Sequence, residues 1–210
     1  MKILTVGDSF TYGEELADHK LAWPYLLGYK VTNLAKPGSG NTCMVRTVVE
    51  HAHDYDLIII AWSHFARTEI ADETGFYDIW PGCNAIQYNE HSPWRKQLVD
   101  YYTKHYNDDY LYTQYLLNII LVQNYLTANN KRYLMLDSFG NHQVAQRAAK
   151  ENTKLINQID KEFYIGWPKS SMMEWTYTCS KGPNGHFLED GHRRVADKIN
   201  EYIRNISWLS

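Results

Sequence analysis

Asp56-Leu57-Ile58-Ile59-Ile60-Ala61 is a continuous, largely β-branched apolar run. A strand with one wet face alternates apolar and polar residues, whereas an unbroken run suits a strand covered on both faces, as in a parallel sheet flanked by helices. The segments on either side agree. Upstream, Ile3, Leu4 and Val6 read as a short buried strand ended by Gly7, residues 23–27 as a short helix, and residues 30–34 as a second strand closed by Lys36-Pro37-Gly38-Ser39-Gly40. Residues 42–53 form an amphipathic helix with Val45, Val48 and Val49 on one face. Downstream, residues 67–91 carry no clean period and read as a long connection. Residues 94–106 and 108–128 read as two helices, the second with Leu111, Tyr115, Ile119, Val122 and Leu126 on one stripe. Residues 133–136 make a fourth strand, residues 143–160 a polar helix and residues 163–165 a short fifth strand. A closing helix over residues 189–206 places Val195, Ile199, Ile203 and Ile206 on the core side. Strands alternating with helices predict a three-layer α/β/α sandwich with a mostly parallel sheet of about five strands.

The 210 residues are read as one domain, residues 1–210, with an aromatic-rich helical elaboration at about 67–130. Hydrophobic residues make up 44% and charged residues 21%, which excludes a disordered chain. Lys plus Arg number 21 against 24 Asp plus Glu, a balance that argues against a nucleic-acid or polybasic membrane-surface partner. Cys43, Cys83 and Cys179 are odd in number and scattered, without a CxxC pair, so neither a disulfide framework nor a zinc ribbon is expected. The start, MKILTVGDSF, lacks the pattern of a cleavable signal peptide, and the expected location is the cytoplasm or another compartment reached without one. The longest central apolar run, residues 116–122, is too short to span a bilayer.

The sharpest local signal is Gly7-Asp8-Ser9-Phe10-Thr11-Tyr12-Gly13. A Ser directly after a buried strand projects its hydroxyl above the sheet edge, where ligands of such sheets sit, and its N–H points into the same space. A Ser in that place also serves as a helix N-cap, so the segment by itself leaves both readings open. Its order is not the GxSxG of a nucleophile elbow.

With two further blocks, the chain resembles the SGNH (GDSL) hydrolase family. Gly7-Asp8-Ser9 is similar to the family's first block and Asn33-Leu34-Ala35-Lys36-Pro37-Gly38 to its second. His186-Phe187-Leu188-Glu189-Asp190-Gly191-His192 is similar to its last. The resemblance implies a flavodoxin-like sandwich and hydrolysis of acyl esters, thioesters or acetylated sugars without a cofactor or a metal. It makes Ser9 the nucleophile and His186 the general base, with the backbone N–H groups of Ser9 and Gly38 donating to the oxyanion. Ser hydroxyls need such a base, and imidazole titrates in the right range.

Two places depart from the family. Ser63 stands where an Asn would complete the oxyanion hole, with Asn41 as a rival donor, and Pro183 stands where an Asp would orient the His. The orienting group is then expected to be a backbone carbonyl, Asn184 or Asp190. His192 opens the last helix behind the base and is read as supporting. His51-Ala52-His53-Asp54 lacks ligand spacing on one helix face, and Lys36–Thr42 lacks P-loop spacing. A nucleotide at the Ser9 loop is disfavoured by the negative charge of Asp8, Glu14 and Glu15. Arg67 and Glu69, after the third strand, read either as cleft-lining residues or as a surface ion pair, the second being preferred. The function expected is a serine esterase with a covalent acyl-enzyme, acting on a small-molecule or glycan ester, an O-acetylated carbohydrate by preference because flat aromatic faces suit sugar rings. The alternative is a decayed module that keeps the fold and binds carbohydrate.

Overall fold

A computed structural model describes residues 1–73, 75–83, 93–144 and 146–206. Along the chain run β1 (Lys2–Val6), α1 (Ser9–Tyr12), α2 (Trp23–Leu26), β2 (Lys30–Asn33), α3 (Asn41–His51), β3 (Leu57–Trp62), β4 (Thr68–Asp72) and β5 (Gly75–Ile79). They are followed by α4 (Pro93–His105), α5 (Asp108–Ala128), β6 (Arg132–Asp137), α6 (Asn141–Val144), α7 (Gln146–Glu151), α8 (Thr153–Ile156), β7 (Tyr164–Ile165), α9 (Met172–Trp175) and α10 (Glu189–Asn205). The main sheet has the order β2-β1-β3-β6-β7 and every pairing in it is parallel.

The apolar run does what its pattern predicts. Every residue of β3 is buried, and alternate residues feed opposite cores. Ile58, Ile60 and Trp62 pack with α3 and α5 through Met44, Val48, Tyr115, Ile119 and Val122. Leu57, Ile59 and Ala61 pack with α2 and α10 through Trp23, Val195, Ile199 and Ile203. The sheet is therefore the middle layer of an α/β/α sandwich. β1 has β2 on one side and β3 on the other, so the chain reverses its direction across the sheet there and the crevice at the carboxyl ends of β1 and β3 is the topological switch point.

Three local readings are corrected. The connection after β3 contains an antiparallel pair, β4 with β5, whose half-exposed residues give only a weak alternation; residues 84–92 of that stretch lie outside the described residues. Val49 of α3 is 41% exposed, unlike its neighbour Val48. The polar stretch 143–160 is not one helix: among the described residues it is interrupted at Asn152, between α7 and α8, and its helical residues end at Ile156. Among the described residues no helix is long and apolar enough to cross a membrane.

Candidate active site

The chain leaves β1 at Val6 and turns at once into α1. Asp8, not Ser9, is the N-cap, its carboxylate accepting from the Phe10 N–H at 3.1 Å. Ser9 is the first helical residue, so its N–H has no partner within the helix. The helix closes after one turn at Gly13 (φ 87°), where a side chain would collide with Ala22, and Glu15 follows in the left-handed region at φ 68°. Side chains pay for that conformation, which makes it a feature to be accounted for. The turn sends the Glu15 carboxylate back toward the chain's other end.

There, Lys181 and Phe187 bridge across a tight loop whose Gly185 N–H donates to the Gly182 carbonyl at 3.0 Å. Pro183 occupies a turn position in this loop. The Glu15 carboxylate sits against it, accepting from the Asn184 N–H at 2.8 Å, the His186 N–H at 3.1 Å and His186 Nδ1 at 2.9 Å. A Cβ on Gly182 would lie 2.6 Å from the Glu15 Cδ, so this approach requires glycine. On the other side of the same imidazole, Nε2 is 2.9 Å from Ser9 Oγ. The ring packs on Phe10 at 5.0 Å between centroids, and the Glu14 carboxylate lies 3.6 Å from Nε2. Ser9, His186 and Glu15 thus form one line of hydrogen bonds.

Glu15 is the residue that sequence reasoning missed. Burial acts to raise its carboxyl, but the Asn184 N–H and the His186 side chain and N–H outweigh it and hold the group below the usual carboxylate range. The expected orienting groups stand elsewhere. Asn184 acts through its backbone, on Glu15, and Asp190 accepts from the Ser180 and Gly191 N–H groups at the start of α10. His192 Nδ1 accepts from the Trp23 N–H at 3.1 Å, and burial first, then the charge of His186, pushes its ring down to about 3. It is a neutral core residue.

The oxyanion readings divide. The N–H groups of Ser9 and Gly38 donate to no described group, and Gly38 (φ 76°) lines the cleft beside Ser9. Ser63 is fully buried and its hydroxyl donates to Asp8 Oδ2 at 2.8 Å, so that donor is already committed. Asn41 is committed at both ends: Oδ1 accepts from the Ser63 N–H at 3.0 Å, and Nδ2 donates to the His64 carbonyl at 3.0 Å. Asn41 thereby fastens the loops after β2 and β3 to each other, and Ser63 ties the loop after β3 to the one after β1. Beneath Ser9, Asp8 also accepts from Ser138 Oγ at 3.1 Å, and burial raises its carboxyl despite the Arg67 charge and these bonds.

The cleft holding Ser9 and His186 encloses about 450 Å³, with Glu14, Arg67, Tyr77 and Trp80 among its walls. A neighbouring hollow of about 390 Å³ shares Arg67 and Trp80 and is lined further by His64, Tyr106 and Phe139. Arg67 and Glu69 are not a pair: Glu69 accepts from Arg46 at 2.6 Å and Arg67 faces the cleft. Cys43, Glu69 and Asp78 bring ligand-type atoms within 4.8 Å of one another, but Asp78 already accepts from the Gly40 N–H at 2.6 Å. His53 lies 3.3 Å from its neighbour Asp54, and both are exposed.

A parallel α/β/α sandwich with a Ser–His–acid line at its switch point defines the class, and the chain has the SGNH (GDSL) hydrolase fold. It is similar over 99% of its length to all of TesA, at 13% identity and a TM-score of 0.59. The psychrotrophic esterase EstA from Pseudoalteromonas sp., solved in a form inhibited by monoethylphosphonate, matches with 13% identity and a TM-score of 0.54, covering 97% of this chain and 96% of EstA. An acetyl xylan esterase, AlAXEase, matches at 14% identity and 0.50, covering 97% of this chain and 100% of its own. In sequence, residues 18–209 match a family model described as a family of unknown function (DUF6071), and the chain belongs to that family. The matched span begins after Ser9 and Glu15. No curated protein matches.

Proposed function

We propose that the protein is a serine ester hydrolase working through a covalent acyl-enzyme, with an O-acylated, preferably O-acetylated, carbohydrate as substrate. The observation that carries the reading is the continuous line from Ser9 Oγ through both nitrogens of His186 to Glu15, each contact 2.9 Å long. In that line the Ser9 oxygen attacks the ester carbonyl and its proton passes to Nε2. The carbonyl π pair moves onto oxygen, facing the free N–H groups of Ser9 and Gly38. Collapse expels the alcohol, which takes the proton from Nε2. Water then repeats the sequence, releasing the acid and restoring Ser9. Glu15 fixes the tautomer that leaves Nε2 able to accept, and its charge stabilises the imidazolium.

The carbohydrate part of the proposal rests on Tyr77 and Trp80 in the cleft wall beside the carboxylates of Glu14 and Asp78, a mixture of flat faces and hydroxyl-binding groups. The resemblance in fold to an acetyl xylan esterase is in keeping with it. The test is hydrolysis of p-nitrophenyl acetate, then of acetylated oligosaccharides. Turnover in wild type is expected to fall by about 10⁴-fold or more in Ser9→Ala. Wild-type protein that binds sugar but turns over neither ester is a binding module, and the proposal is then wrong.

A further inference from the structure

We infer that Arg67 is a further catalytic residue of this site, its guanidinium facing the oxygen that becomes negative in the tetrahedral intermediate; the inference rests on the Ser9 reading. Arg67 is the one permanent cation among the described residues lining the Ser9 cleft. It is held in place rather than waving from the surface. Its N–H donates to the His64 carbonyl at 2.9 Å and its carbonyl accepts from the Asn41 N–H at 3.2 Å. Its guanidinium carbon lies 4.9 Å from the Trp80 ring and 5.1 Å from the Phe139 ring. Nη1 is buried, 4.0 Å from Asp8 Oδ2, and donates to no described group.

The placement of charge around Ser9 has a direction. Glu14 and Glu15 both flank the imidazole, where positive charge appears when the proton is taken. Arg67 stands on the Gly38 side, because Trp80, which it faces, packs so closely on Gly38 that a Cβ there would lie 3.2 Å from the indole. Negative charge would appear on that side, where Gly38 lines the cleft beside Ser9 and its N–H donates to no described group. The side chains at hand for a third donor, Ser63 and Asn41, are bonded elsewhere. Among the described residues Arg67 Nη1 has no acceptor, and its guanidinium is a positive donor. With only 17% of its side chain exposed, such a fixed charge acts more strongly than it would in bulk solvent. An anionic group on the substrate is a poorer occupant of this position, since Glu14 and Asp78 line the same cleft.

The test is kcat and KM for p-nitrophenyl acetate in wild type, Arg67→Gln and Arg67→Lys, with thermal melts on each. Arg67→Gln is expected to lower kcat by about 10²–10³-fold with KM changed less than about threefold. Arg67→Lys, which keeps the charge but loses the planar fork, is expected to lose only about tenfold. Should Arg67→Gln not fold, the Lys variant decides alone. A folded variant with kcat within about threefold of wild type, or a loss confined to KM, overturns the inference while leaving the Ser9 reading intact. Wild-type protein without turnover overturns both.

Discussion

Two carboxylates bracket Ser9 in one loop, and their surroundings make them opposites. Asp8 is fully buried, takes hydroxyl bonds from Ser63 and Ser138 and an N–H bond from Phe10, and fastens three loops below the nucleophile. Among the described residues, Glu15 is bonded to one turn and one imidazole, beside the cleft. Their response to pH differs in sign. The Glu15 carboxyl is lowered, so its contribution to stability is complete above its unfolded value and is lost as pH falls through the folded one. The Asp8 carboxyl is raised, so the folded state holds its proton longer and stability declines as pH climbs from the ordinary carboxylate value to the raised one. A carboxylate that must orient a moving proton stays charged; one that holds architecture tolerates neutrality.

That contrast is breakable from either side. The largest effect is expected from Glu15→Gln, which keeps the shape but loses the charge: kcat/KM should fall by about 10³–10⁴-fold. Melts should show the variant less stable than wild type near pH 7, where the Glu15 charge contributes in full, with the gap closing on acidification; equal activity in the two proteins would remove Glu15 from the line. A smaller loss, about 10²-fold, is expected of Gly182→Ala, whose methyl would meet the Glu15 carboxylate at 2.6–2.7 Å and push it off the imidazole. Activity and melting temperature measured together should separate this displacement from general damage. The smallest catalytic effect belongs to Ser63→Ala, which removes a buried bond to Asp8. It should cost about 1–3 kcal/mol, visible as a melting point lower by roughly 2–12 °C, with kcat/KM within a few fold of wild type. A large kcat loss without destabilisation would return Ser63 to the oxyanion side.

The sheet and the layers were legible because they are written in consecutive residues. β3 reads as covered on both faces from Leu57–Trp62 alone, and α5 carries its stripe from Leu111 to Leu126 without a break. Ser9 and His186 were legible through the blocks around them, and the structure brings them to 2.9 Å. Glu15 was not, because the orienting acid was sought near His186, where Pro183 makes a turn, while it arrives from the serine's own loop 171 residues away in sequence. One clue was present: a missing acid beside the base and two acids, Glu14 and Glu15, directly after the Ser9 turn. Nothing local distinguishes them, since only the left-handed backbone at Glu15 decides which one turns inward. Ser63 and Asn41 misled for the same reason, their residue types suiting donation while their partners lie in distant loops.

The central claim is that Ser9 is made nucleophilic by the His186–Glu15 pair. It is tested most directly by treating wild type, Ser9→Ala and Glu15→Gln with a fluorophosphonate and mapping the adduct by mass spectrometry. The account predicts one adduct, on the peptide containing Ser9, absent in Ser9→Ala and formed far more slowly in Glu15→Gln. Modification at another residue, or no modification of folded wild-type protein, would contradict it.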